Sequence, residues 1–234
     1  MFRHQGDNRT YLHNLKLASL LSLVAGIVNI TGVLSVKILT TNVTGHFAYF
    51  SEEFSAKNYA LAFFYLLFIL SFLLGAFVSA LSVEIVSALW PAVTFVVPMI
   101  IEIIILGSTG MLNNASHHPQ LIACILLFAM GLQNALVTKV SDAVVRTTHL
   151  TGLFTDLGIE LSQLFFYREA FYREQLYKSI SLKGAIIGCF FTGCVGGGFL
   201  FHLAGLKTLV LAAVILLAAL LYDSRSPMMI RRNL

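Results

Sequence analysis

The sequence predicts an all-α integral membrane protein, with six transmembrane helices arranged as two inverted three-helix repeats, each carrying a Thr-Gly re-entrant or interfacial half-helix. Three observations predict it. The 234 residues are 58% hydrophobic and only 11% charged, and mean hydropathy is +0.85, whereas soluble domains are about half apolar and a quarter charged. Six apolar segments approach the roughly 20 residues that cross a bilayer, at 15–36, 59–83, 91–111, 119–140, 181–203 and 206–222. A polar eight-residue frame also occurs twice between them, as TTNVTGHF and TTHLTGLF.

The amino-terminal stretch MFRHQGDNRTYLHNLK is polar and basic, and the apolar run behind it is too long for a signal peptide, which predicts a retained first spanning helix. With the N-terminus inside, twelve of the 15 Lys and Arg residues fall on the cytoplasmic side and three (Lys37, Lys57 and Lys207) outside. The positive-inside rule then predicts that both termini are cytoplasmic. The net charge of +4 is spread over loops beside membrane segments, a pattern of topology rather than of nucleic-acid binding. The length accommodates one membrane domain over 1–234, with internal repeats at about 15–111 and 119–222.

The two frames align as Thr40-Thr41-x-x-Thr44-Gly45-His46-Phe47 and Thr147-Thr148-x-x-Thr151-Gly152-Leu153-Phe154. Each follows a helix bearing an amide, Asn29 in GIVN and Asn134 in GLQN, and each precedes a carboxylate, Glu53 or Glu160. In the next helix, Ser71, Gly75 and Ser79 are expected to answer Gly184, Gly188 and Thr192. Three spans per copy is an odd number, so the second copy enters from the opposite side, as in many secondary transporters whose substrate binds where the repeats meet.

Within RTTHLTGLFTDLG, Phe154, Leu157, Gly158, Leu161 and Phe165 share one helical face, while Thr155, Asp156, Ser162 and Gln163 lie elsewhere. Thr148 or Thr151 is the expected N-cap, and Gly152 is expected to admit close backbone approach. The segment reads either as a half-helix facing a midplane cavity or as an amphipathic helix lying on the membrane surface. Asn29, Gln133 and Asn134 either line that cavity or hold helices together. Glu102, flanked by apolar residues, is a candidate coupling acid or a partner in a simple interhelical hydrogen bond.

Arg146 either binds an anionic solute or pairs with Asp142 or Asp156, and His46 and His149 are candidates for titration near neutral pH. His117 and His118 mark an external turn. Gly184, Gly188, Thr192 and Gly196 recur every four residues and give one helix a smooth face for packing, within the protomer or in a homodimer. Cys124, Cys189 and Cys194 lie in apolar runs and read as packing residues. Four glycosylation sequons, Asn42-Val43-Thr44 among them, are too short to direct the reading. No HExxH, GxSxG, Walker or CxxC signature occurs, so neither an enzyme nor a cofactor or metal is expected.

FAMGLQNA and RTTHLTGLFTDLG resemble the YoaK-like family, small bacterial membrane proteins of uncharacterised function often described as candidate permeases. The resemblance implies a bacterial inner-membrane protein and brings no substrate. Where that family commonly has Asp in a G-x-V-D frame this chain has Asn29, and where it has Ser/Thr-Gly-Asn this chain has Thr44-Gly45-His46. Asp156 keeps the acid of the second motif and is the better coupling candidate.

The expected function is a small permease that moves a polar or anionic solute by alternating access. The substrate-binding candidates are Asn29, Thr40, Thr41, Thr44, Gly45, His46, Gln133, Asn134, Arg146, Thr147, Thr148, Thr151, Gly152 and Asp156, with Asp156 and Glu102 for coupling. The alternative is a non-transporting membrane scaffold or regulator whose basic stretch 166–183 recruits a partner or anionic lipid.

Overall fold

The computed structural model describes residues 10–90, 93–112 and 118–225. His117 and the terminal arginines Arg3, Arg9, Arg231 and Arg232 lie outside the described residues. Eight α-helices follow in order: α1 (Tyr11–Val36), α2 (Val43–Ser55), α3 (Tyr59–Leu89), α4 (Val96–Gly110), α5 (Pro119–Val140), α6 (Leu150–Gln163), α7 (Ala170–Ala204) and α8 (Thr208–Arg225). No strand occurs among the described residues. Each of the six apolar segments overlaps one helix, α1, α3, α4, α5, α7 and α8 in order, and the two Thr-Gly frames open α2 and α6.

α1 and α5 form the centre, burying Leu17, Leu21, Val24 and Val28 on one and Leu126, Met130, Leu136 and Val137 on the other. α1 packs along α7, and α5 along α3. Both contacts depend on paired glycines. A Cβ on Gly26 would stand 2.9 Å from the backbone N of Cys194 and closer still to the carbonyl O of Phe190, while one on Gly193 would run into the carbonyl O of Leu23. In the same way Gly75 closes on the carbonyl of Phe128, and Gly131 on that of Phe72. In all four cases the carbonyl belongs to the residue three places before the opposing glycine. Backbones this close gain dispersion contacts that larger side chains would prevent.

The shared geometry corrects the expected register. Gly75 answers Gly193 rather than Gly188, and Gly184, Gly188 and Gly196 have nothing within 4 Å of an added Cβ. The i,i+4 pair that meets α1 is Gly193 and Gly197, so the smooth stripe is turned outward.

The segment expected as a span at 91–111 contributes only the 15-residue helix α4. Pro98 explains its late start: without an N–H, and with a ring that clashes one turn back, proline sits comfortably only in a first turn. α4 packs on α8, with Gly110 beside the backbone of Leu206 and Val210. The segment expected at 181–203 is longer than anticipated, since α7 begins at Ala170 and takes in most of the basic stretch. Gly205, at φ +59, ends α7 before a short 3-10 turn leads into α8.

Candidate functional site

α1 and α5 both end beside left-handed residues, Lys37 after α1 and Asp142 and Ala143 after α5. The chain then turns back toward the helix it has just left, and the amide on that helix receives it. Asn29 Oδ1 accepts from the backbone N of Thr40 at 3.1 Å and from Thr41 Oγ1 at 3.0 Å. Asn134 Oδ1 accepts from Thr148 Oγ1 at 3.0 Å. Thr41 and Thr148 are the second threonines of their frames, so one bridge is built twice. The first threonines, Thr40 and Thr147, are fully buried and their hydroxyls have no partner.

The half-helices differ in their caps. Asn42 caps α2 by accepting from the Gly45 amide at 3.0 Å. At α6 the expected threonine cap is absent: His149 takes that position with no side-chain bond, because Thr148 is engaged by Asn134 and Thr151 is exposed. Gly152 meets only the His149 ring, so the expected close backbone approach does not occur there.

On α6 Phe154 and Leu161 point outward, and Phe165, just past its end, is 81% exposed. Glu160 turns inward, where its Oε1 accepts from Lys183 Nζ at 2.6 Å and from Ser179 Oγ at 2.7 Å, both on α7, while Thr155, Asp156 and Ser162 are exposed.

Between α6 and α7 lies a cavity of about 320 Å³ whose lining includes Arg146, His149, Gly152, Leu153, Asp156, Ser179, Lys183 and Ile186. Arg146 and Asp156 therefore share one space, but the expected ion pair does not form: among the described residues Arg146 has no carboxylate within 4.0 Å. The first half is built differently at matching positions. Leu153, Asp156, Lys183 and Ile186 correspond to His46, Tyr49, Tyr65 and Phe68, counted from the frame glycines Gly45 and Gly152 and from the packing glycines Gly75 and Gly193. These four rings pack together, with centroids 5.3 Å apart for Tyr49 and Tyr65 and 5.6 Å apart for His46 and Phe68. His46 is buried, with Nε2 2.8 Å from the carbonyl of Leu39, so that nitrogen donates the hydrogen bond.

Other candidates fall outside this cavity. Gln133 is fully buried and its Nε2 donates to the Leu21 carbonyl at 2.9 Å, joining α5 to α1. Glu102 is fully buried on the α4 face that carries Met99 and Leu106, and neither carboxyl oxygen has a hydrogen-bond partner. The expected interhelical hydrogen bond is therefore not made. Thr44 is exposed at the start of α2. Sequence reasoning missed Lys183 and Ser179, which only the return of α7 brings to Glu160. A Ser-x-x-x-Lys spacing on a helix is too common to have singled them out.

The outer surface carries Leu73, Phe77, Phe199 and Leu203, the last 86% exposed. α1, α3, α5 and the α7–α8 stretch are each long and apolar enough to cross a membrane. Helices of this length and apolarity, with large apolar side chains on the outer surface, define a multi-pass helical membrane protein that meets the lipid bilayer. Residues 17–222 match the family described as "Protein of unknown function (DUF1275)", and the chain belongs to that family. It is 27% identical over 156 residues to the UPF0700 transmembrane protein YoaK of Bacillus subtilis (strain 168), covering 65% of this chain and 69% of that protein. No solved structure matches the chain.

Proposed function

We propose that the chain is a small permease of the bacterial inner membrane that moves a polar, anionic solute by alternating access. In this reading it has six spans in two inverted three-helix units, both termini are cytoplasmic, and α2 and α6 re-enter the membrane. Neither half-helix can cross alone: 13 and 14 residues rise about 20 Å, against a hydrocarbon core of about 30 Å. Arg146, which has no carboxylate partner among the described residues, is the cation of the cavity that suits an anion, with Asp156 as the coupling acid. The chain has no catalytic role in this reading.

One observation carries the proposal: the same four positions line a cavity with charged side chains in the second half and are filled by packed rings in the first. Two halves of one design in opposite states are what alternating access requires, and here the cytoplasmic side is the open one. The test is uptake of small anionic solutes into proteoliposomes by the wild type and by Thr44→Val, Thr151→Val and Asp156→Asn. Uptake should fall by at least about tenfold in Asp156→Asn and clearly in the threonine variants, with expression unchanged. Full uptake in all three would sink the proposal. If no solute moves and impermeant thiol reagents never reach an Asp156→Cys side chain from either face, the non-transporting scaffold becomes the better reading.

A further inference from the structure

A second, larger cavity lies away from the α6–α7 site, where the start of α1 meets the first turns of α7. Its volume is about 620 Å³, and Tyr11, Arg168, Arg173, Glu174, Tyr177 and Lys178 line it. We propose that this cleft binds the phosphate of an anionic phospholipid headgroup.

The charges favour an anion. Lys178 pairs with Glu174, so the only acid among the described lining residues is already neutralised. Among the described residues neither Arg168 nor Arg173 has a carboxylate partner, so two guanidinium groups supply the net charge. Arg173 is held in position: its Nη2 donates to the Tyr177 hydroxyl at 3.1 Å, and its guanidinium carbon stands 5.8 Å from the Tyr177 ring centroid. That contact uses one of five N–H donors and leaves most of a planar fork that matches phosphate oxygens.

The depth favours a lipid over a soluble anion. α7 has 35 residues and rises about 52 Å, while the hydrocarbon core is about 30 Å thick. Its apolar part begins near residue 181, so Lys178 stands about 5 Å beyond that edge, within the headgroup layer, and Arg173 about 12 Å beyond it, just outside that layer and within reach of it through its long side chain. Tyr177, which lines the cleft, and Tyr167 and Tyr172 on the same stretch are about half exposed. Rings at this level belong to a membrane interface rather than to water. Basic clefts between helices on the cytoplasmic side hold anionic headgroups by this combination of charge and depth.

The experiment is native mass spectrometry of the full chain in detergent, titrated with phosphatidylglycerol, with phosphatidylcholine of the same acyl chains, or with inorganic phosphate. Phosphatidylglycerol should be retained in preference to phosphatidylcholine. The preference should fall roughly tenfold in Arg168→Gln/Arg173→Gln, fall less in either single variant, and stay unchanged in Lys207→Gln at the far end of α7. The single variants decide the matter if the double variant fails to fold. An unchanged preference in them, or displacement of the lipid by equimolar inorganic phosphate, would overturn the proposal. The permease reading is not needed for this inference, since lipid retention is measured without transport.

Discussion

Replacing Gly26 with alanine tests how the bundle is held together. The added Cβ would stand 2.9 Å from the backbone N of Cys194 and closer to the Phe190 carbonyl, both backbone atoms of α7 that cannot rotate aside. Ordinary carbon contacts lie at about 3.5–4.0 Å, so α1 and α7 must part by roughly 1 Å along their most extensive contact. Overpacking of this kind costs about 1–3 kcal/mol, and loss of contacts on either side adds to it. At about 2–4 °C per kcal/mol for a chain of this size, Gly26→Ala should lower the melting temperature in detergent by roughly 4–10 °C. Gly131→Ala, against the Phe72 carbonyl between α5 and α3, should do the same. Gly188→Ala, on the same helix as Gly193 but facing open space, should lie within about 1–2 °C of wild type, because alanine is the better helix former. Thermal unfolding followed by tryptophan fluorescence reads all three. If Gly26→Ala and Gly188→Ala melt together, the α1–α7 geometry is wrong.

Asn29 serves its turn through an acceptor oxygen, so Asn29→Asp should fold within about 1 kcal/mol of wild type, whereas Asn29→Ala strands two donors and should cost about 1–3 kcal/mol. An aspartate variant as unstable as the alanine one, measured by thermal unfolding, would contradict the acceptor role. Lys183 and Glu160 are 15% and 17% exposed, so Lys183→Met should cost about 2–4 kcal/mol by leaving a carboxylate unpaired, and Lys183→Met/Glu160→Leu should recover most of it. A double variant no more stable than the single would refute a direct pair. Glu102 has no hydrogen-bond partner for either oxygen, so Glu102→Met should raise stability by about 1–3 kcal/mol. A clear loss of stability would mean that the carboxyl is held by a group yet to be found.

Much of the fold was legible from the sequence because lipid imposes a simple rule. Every backbone polar group must be satisfied within its own helix, so long apolar runs could only be helices, and each of the six overlaps one. α4 was overestimated because hydropathy measures apolarity and not helix starts, and Pro98 sets this one. The pairing of Asn29 with Asn134 and of the Thr-Thr frames could be read because short polar motifs stand out against an apolar background. The register of α3 against α7 could not, since nearly any small residue at a fourfold spacing resembles a packing stripe, and only the opposing backbone selects Gly193 over Gly188.

The site divides in the same way. Arg146, Gly152 and Asp156 could be picked out because they lie beside the second motif, and all three line the cavity between α6 and α7. Lys183 escaped because its contact with Glu160 exists only once α7 has folded back. Matching positions carry unlike chemistry: Asp156 and Lys183 in one half, Tyr49 and Tyr65 in the other. If repetition served only to build a stable bundle, the two copies would have no reason to place charge on one side and stacked rings on the other. The permease proposed above would account for that difference, with a polar path reachable on the charged side and packed rings on the other. On this argument the aromatic cluster is as much part of the candidate site as the charged cavity, although no motif in the sequence marks it.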